Sequence, residues 1–160
     1  MLDTIDVEIK KFFKGDVDIT DETLEKYSHD ASVFYVKPQI VVYPKDSMDI
    51  QNLVRWVNKN KSTYPNLAIT PRSAGTCMSG GALGESIIMD FTKYMNKIES
   101  VHKVDNFDIL PKYPNAHTVE ISGSAVVEPG CFYRDFEEET LKLDLILPCY
   151  TASKSINAMG

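Results

Sequence analysis

Residues 71–84 read Pro71-Arg72-Ser73-Ala74-Gly75-Thr76-Cys77-Met78-Ser79-Gly80-Gly81-Ala82-Leu83-Gly84, with four glycines, two serines and a threonine in fourteen positions. Glycine lets main-chain N–H groups approach and converge on an anion, so the chemistry this run suits is the holding of phosphate. Two standard arrangements can be tested by spacing. A Walker loop needs Lys-Ser or Lys-Thr straight after its last glycine, and Gly75-x4-Gly80 is followed by Gly81 and Ala82. A Rossmann loop needs Gly-x-Gly-x-x-Gly opening a helix; here the spacing differs and the segment runs into an apolar strand at Ser86. Neither fits. On composition alone, a phosphate loop and a flexible surface loop both stay open.

Other reactive side chains are scattered. Cys77, Cys131 and Cys149 show no Cys-x-x-Cys spacing, and His29, His102 and His117 do not cluster with them, so no zinc or iron–sulfur ligand set is legible. Free buried thiols in a reducing compartment account for the cysteines, which points to the cytoplasm or the cytoplasmic side of a membrane. Cys77 reads as a small buried filler rather than a redox-sensitive thiol. His29 and Asp30 are adjacent, and neighbours on an extended chain face opposite ways, so they read as structural. Arg72 divides evenly between compensating phosphate charge and bracing the loop. Glu137-Glu138-Glu139 falls in the first half of an expected helix, where acids suit the dipole and face water. Trp56 reads as packing.

The elements that must carry the loop follow from hydrophobic periodicity. Ile5, Ile9, Phe12 and Phe13 recur at helical spacing, predicting a helix over residues 4–14 ended by Gly15, and a second short helix is expected at 22–27. The β-branched run 39–43 is a strand stopped by Pro44. Asp46 or Ser47 can cap the next helix, whose Ile50, Leu53, Val54 and Val57 fall at i, i+3, i+4 and i+7. Strands are expected at 67–70, halted by Pro71, and at 86–90. Strand, helix, strand, loop, strand is a βαβ unit with one extra strand, which argues for a small parallel sheet. After residue 91 the pattern changes. A strand is expected at 98–104 and a polar loop with Pro111 and Pro114 at 105–117. A hairpin of 118–122 and 125–128 would turn at Gly123-Ser124. Pro129-Gly130 leads into a helix around 133–143, and 145–147 leads into Pro148.

Composition bounds the rest. The chain has 160 residues, 43% of them apolar, 25% charged and 10% aromatic, which describes a globular protein and excludes collagen-like or broadly disordered chains. The longest apolar runs are about four residues, far short of the roughly 20 a membrane helix needs. Nine acids against four lysines in residues 1–30 do not resemble a signal peptide. That segment carries most of the net charge of −6, while the remaining 130 residues hold 14 acids and 13 bases. With no basic stripe, nucleic acid is set aside as a partner.

The order of residues in the glycine run adds a resemblance. Pro71 through Gly81 resembles the pyrophosphate loop of the vanillyl-alcohol oxidase/p-cresol methylhydroxylase (PCMH-type) flavoproteins, which read Pro-Arg-Gly-x-Gly-Thr-Ser-x-x-Gly there. Tyr27–Ser32 and Lys37–Lys45 look like that family's lead-in to its first strand and helix, and Val127-Glu128-Pro129-Gly130 like its later Pro-Gly turn. Leu147–Ser153 and Ile156–Gly160 are similar to its second flavin segment. The likeness covers about residues 25–160, and the closest branch is the D-lactate dehydrogenase, glycolate oxidase and D-2-hydroxyglutarate dehydrogenase group.

That resemblance implies an α+β fold: a PCMH-type FAD-binding domain with a small parallel βαβ subdomain and a second, truncated α+β subdomain, FAD lying between them. The boundaries expected are an acidic N-terminal helical segment over 1–30, a first subdomain over 31–95 and a second over 96–160. Backbone N–H groups of Ser73, Ala74, Gly75 and Thr76 would face the pyrophosphate, with the Thr76 and Ser79 hydroxyls adding bonds, and Pro71, Arg72 and Gly80 are implied as cofactor-binding positions of the same loop. Pro148, Ser153 and the backbone near Gly160 would reach FAD from the other side. Ser73 departs from the commoner glycine, Cys77 from serine, and Ala158 from a hydrogen-bonding threonine or serine. Covalent members place a histidine where this chain has Thr76, so non-covalent FAD is implied. The implied reaction is hydride transfer from a small-molecule 2-hydroxy acid to FAD. Same-fold and other-class alternatives are an NADPH-using reductase of the cell-wall precursor type and a non-catalytic nucleotide-binding module. Gly160 falls inside the second flavin motif, so the resemblance implies a piece of a longer enzyme. The rest of that polypeptide, or a partner subunit, would supply the substrate domain and the catalytic base, and no catalytic residue is assigned in these 160.

Overall fold

The computed structural model describes residues 2–103 and 122–160. In chain order the elements are α1 (Leu2–Lys10), β1 (Asp16–Asp18), α2 (Asp21–Lys26), β2 (Ile40–Tyr43), α3 (Ser47–Asn60), β3 (Ile69–Arg72), β4 (Ile87–Asp90), β5 (Ile98–Lys103), β6 (Gly123–Val127) and α4 (Tyr133–Leu141). They form two sheets. The first has the order β1-β2-β4-β3, with β4 parallel to both β2 and β3 and β1 antiparallel at the edge. The second pairs β5 with β6 antiparallel. The expected parallel βαβ unit with an extra strand is present, the extra strand being inserted between the other two.

β2 and β4 are central and covered on both faces, which is why their sequences are nearly uninterrupted aliphatic runs. Ile40, Val42, Ile87 and Met89 pack with Ile5, Ile9 and Phe13 and with Leu53 and Val57 of α3. Val41 and Ile88, of opposite parity, pack against Tyr27 on the other face. Asp46 caps α3 by accepting from the N–H groups of Met48 and Asp49. The stripe of α3 is narrower than its spacing suggests: Leu53 and Val57 are buried but Val54 is half exposed. Trp56 packs on Phe12, and its indole N–H donates to Glu8.

Several local expectations are corrected. The first helix ends at Lys10 rather than at Gly15. Gly15 serves close approach instead, since a Cβ there would lie 1.9 Å from the Tyr43 carbonyl oxygen across β1 and β2. Its N–H and those of Lys14 and Lys45 all donate to the buried Asp49 carboxylate. β1, only Asp-Val-Asp, carries no hydrophobic alternation that would mark it as a strand. Pro71 does not halt β3 but lies within it. β3 is an edge strand, and the carbonyls of Ala68 and Arg72 accept from β4, so strand parity turns the Pro71 nitrogen to the open edge, where no N–H is needed.

Gly123 and Ser124 are not a hairpin turn. They are ladder residues of β6 opposite Lys103 and His102. The expected strand at 118–122, apart from Ser122, lies outside the described residues, as do Val104, the 105–117 loop and His117. α4 follows the Pro129-Gly130 turn, and its Tyr133 and Phe136 pack with Cys131 against Ile98, Ala125 and Val127. Glu137 does not simply face water; it is half-buried and accepts from Arg134, Tyr133 and Lys154. Of the cysteines only Cys131 is buried, while Cys77 is partly exposed and Cys149 exposed. The buried-filler reading of Cys77 therefore fails: the loop carries it over the cleft, away from either core. Among the described residues no helix is long and apolar enough to cross a membrane.

Candidate functional site

The glycine run leaves the sheet at the carboxyl end of β3 and returns through β4 beside it, the end of a parallel sheet at which ligands are ordinarily bound. Its path is set by two left-handed glycines. Gly75 has φ +68°, and a Cβ there would lie 2.4 Å from Arg72 Nη2; its carbonyl accepts from the Ala31 N–H at 3.1 Å. Gly80 has φ +79° and passes under Phe34, whose ring carbon would be 2.8 Å from a Cβ. Side chains at either position would meet both steric strain and a neighbour.

The second sheet meets this loop through the Pro129-Gly130 turn. Ser73 Oγ donates to the Pro129 carbonyl at 3.0 Å, and the Gly160 N–H donates to the same oxygen at 2.8 Å. Gly130 allows the turn to lie on Phe91, since a Cβ would be 2.2 Å from that residue's carbonyl oxygen. The chain around Ala158 is stitched to the start of α4 by Tyr133 N–H to Asn157 and Met159 N–H to Cys131.

Between these walls lies an open cleft of about 420 Å³. Pro71, Arg72, Ser73, Ala74, Gly75, Thr76 and Cys77 form one wall, and Pro129, Ala158 and Gly160 the other, with Phe91 between. Among the described residues, the N–H groups of Ser73, Ala74, Gly75 and Thr76 donate to no protein acceptor. Consecutive backbone donors without a protein partner, beside a left-handed glycine, are the kind of groups an anion can satisfy. Of the residues singled out from sequence, Ser79, Gly80, Pro148 and Ser153 lie off this cleft. Ser79 is exposed and bonded to the Cys77 thiol; Pro148 borders a separate cleft beside Leu145 and Phe136; the Ser153 carbonyl accepts from the N–H groups of Ile156 and Asn157. Phe91 and Pro129 were not among the expected site residues. Only the Pro-Gly dipeptide signalled the latter.

Beneath the loop sits a charged and aromatic layer. The Arg72 guanidinium lies 5.0 Å from the Tyr27 ring centroid and donates to the Tyr27 carbonyl at 3.5 Å. The Tyr27 hydroxyl donates to Asp90 at 2.5 Å, and burial, with Asp90 beside it, pushes its pKa far up. Burial works to raise the Asp30 carboxyl, but hydrogen bonds from Ser32 and the charge of Arg72 outweigh it and hold the group below its usual value. The Cys77 thiol is lowered by the Ser79 hydroxyl first, then by the N–H groups of Ser79 and Gly81. Among the described residues no group of three His, Cys, Asp or Glu side chains is placed to hold a metal ion.

Residues 38–160 match the model of a family described as FAD binding domain. Among curated proteins, the chain is similar to D-2-hydroxyglutarate dehydrogenase of Escherichia coli strain K12, 31% identical over 90 residues that make up 56% of this chain and 9% of that protein. It is also similar to mitochondrial D-lactate dehydrogenase [cytochrome] of Kluyveromyces lactis, 31% identical over 96 residues, 58% of this chain and 16% of that one. The matched stretch is thus under a fifth of either relative. Among solved structures, alkyldihydroxyacetonephosphate synthase superposes with TM-score 0.69 at 18% identity over 96% of this chain and 27% of its own. The 4-ethylphenol oxidase of Gulosibacter chungangensis does so with TM-score 0.60 at 19% identity, over 86% and 24%. These structural likenesses establish a shared PCMH-type, α+β fold.

Proposed function

Because the chain belongs to the FAD binding domain family over residues 38–160, we propose that the cleft between its two sheets holds FAD non-covalently for the oxidation of a 2-hydroxy acid of the D-lactate, glycolate or D-2-hydroxyglutarate type. The observation that carries this reading is that the Ser73–Thr76 wall of the cleft, opposite Pro129 and Gly160, carries a row of N–H groups with no acceptor among the described residues. A pyrophosphate is the part of FAD whose charge such donors match, each charge-assisted bond being worth roughly 1.5–3 kcal/mol. The Thr76 hydroxyl can add a further donor from the same wall, and the Gly160 end of the chain closes the other.

When bound, the flavin supplies the hydride-accepting ring. The chain's own part is to bind and orient. The loop would fix the diphosphate, and Phe91, Pro129 and Ala158 give the cleft apolar surface beside it. Among the described residues, we assign none as the base. The relatives' names motivate the substrate class, and we assign the substrate-orienting groups to no residue of this chain.

The test is thermal unfolding with FAD, ADP and NADPH, followed by acid precipitation of the FAD-loaded protein. FAD should raise the melting temperature most, ADP and NADPH, which share the diphosphate but lack the flavin, should raise it less, and the yellow colour should stay in the supernatant; NADPH matching or exceeding FAD would favour the reductase reading. Stabilisation by none of the three overturns nucleotide binding, and colour in the washed pellet overturns the non-covalent attachment. Oxidation of D-2-hydroxyglutarate, D-lactate or glycolate by the longest available polypeptide containing this cleft is the test of the substrate class.

A further inference from the structure

We infer that Arg72 is a positioning residue, whose guanidinium, held between the Tyr27 ring and the backbone of Gly75, props the glycine loop in its anion-binding shape and does not itself hold the anion. This deepens the reading of the cleft as an FAD site and rests on it. An arginine at the mouth of a phosphate loop would ordinarily be taken for a phosphate ligand. Here the guanidinium is already engaged from below by the Tyr27 ring and carbonyl, and it lies directly under Gly75.

One face stacks on Tyr27 at 5.0 Å, and Nη1 donates to the Tyr27 carbonyl. Nη2 fills the space a Gly75 Cβ would occupy, 2.4 Å from it. The Asp30 carboxylate lies within electrostatic reach of the same guanidinium, which lowers its pKa. Tyr27 is in turn fixed by its hydroxyl bond to Asp90, the residue opposite Arg72 in the β3–β4 ladder. Ring, guanidinium and glycine form a stack anchored in the sheet. Its upper surface is the left-handed Gly75, in the middle of the Ser73–Thr76 segment that lines the cleft. Only a residue without a Cβ can lie on the guanidinium, and a planar, weakly hydrated cation is the group best suited to sit over the ring. The two choices in Arg72-Ser73-Ala74-Gly75 are therefore one requirement.

The experiment uses Arg72→Lys, which keeps the charge and loses the plane, and Tyr27→Leu, which keeps the charge of Arg72 and loses the stacking face. Two quantities are read: the dissociation constant for FAD, and the hydrogen exchange of the Ala31 amide in the ligand-free protein. That amide donates to the Gly75 carbonyl and so reports the loop's position without any cofactor. Amides of β2 and β4 serve as controls for global stability. Both variants should weaken FAD by roughly tenfold, the scale of one lost stacking contact, and should speed Ala31 exchange clearly more than that of the β2 and β4 amides, whose own change in Tyr27→Leu reads the global destabilisation from the lost Asp90 bond. The double variant should lose little more than either single one. Unchanged Ala31 exchange in both variants overturns the inference, whatever happens to affinity. So does wild-type FAD affinity in Arg72→Lys, the result a direct charge contact gives. If the unsubstituted protein binds no FAD, the functional reading fails, and Ala31 exchange alone decides the role of Arg72.

Discussion

Ser73 and Pro129, 56 positions apart, are joined by a hydrogen bond from the Ser73 hydroxyl to the Pro129 carbonyl at 3.0 Å. It ties the loop that leaves the parallel sheet to the turn that enters α4, so the two walls of the cleft have a fixed separation. The serine that departs from the glycine of the family pattern supplies that tie. Because the Gly160 N–H donates to the same carbonyl, the second wall is held by two donors on one oxygen.

Gly75→Val should weaken FAD binding by about ten- to a hundredfold while leaving the sheet intact. A β-branched residue is strained at φ +68°, and its Cβ would collide with the Arg72 guanidinium, turning the Ser73–Thr76 donors away from one point. Titration with FAD, alongside circular dichroism to confirm the fold, gives the answer; equal affinity in a folded variant returns the loop to an ordinary surface connection.

Asp49→Ala should cost roughly 2–4 kcal/mol of folding stability. The carboxylate is fully buried and accepts from the N–H groups of Lys14, Gly15 and Lys45, so its removal strands three backbone donors at the junction of the N-terminal segment with β2 and α3. Asp49→Asn should lose less, since its one oxygen can still accept. Urea denaturation of the three proteins compares them directly.

Cys77 should be alkylated by iodoacetamide at a lower pH than an ordinary thiol, and Ser79→Ala should move the midpoint of its pH–rate curve upward. The Ser79 hydroxyl stabilises the thiolate, and the Gly81 N–H donates to the sulfur at 3.3 Å. Peptide mapping by mass spectrometry separates Cys77 from the exposed Cys149. A midpoint that does not respond to Ser79→Ala would remove the hydroxyl as the cause.

Stability should fall as pH rises above about 10, and part of that fall should disappear in Tyr27→Phe. The Tyr27 hydroxyl is neutral below its unfolded pKa, near 10.0, and is held far above it when folded by burial and by Asp90. The stability it contributes is complete below pH 10 and is lost as pH climbs from there toward the folded value. At neutral pH the variant should be less stable by about 1 kcal/mol, the net worth of a typical hydrogen bond. Urea midpoints between about pH 8 and 11 test both the offset and the slope. Parallel curves for the two proteins would rule out Tyr27 as the titrating group.

The sequence by itself determined the parallel unit and the place of the loop. Ile40-Val41-Val42-Tyr43 and Ile87-Ile88-Met89 can only be strands covered on both faces, Asp46 announces the start of α3, and the glycines mark where backbone must approach something. These are local properties, written in period and residue type. Tertiary structure decided the rest. Gly15 reads as a helix stop until β2 lies against it, Pro71 as a strand stop until β3 is an edge, and Gly123-Ser124 as a turn until β5 pairs with it. Arg72 reads equally as ligand or brace, because sequence does not say that Tyr27, 45 positions earlier, lies under it. Burial, edge position and the partner across a ladder are set by residues distant in the chain, and no local period carries them.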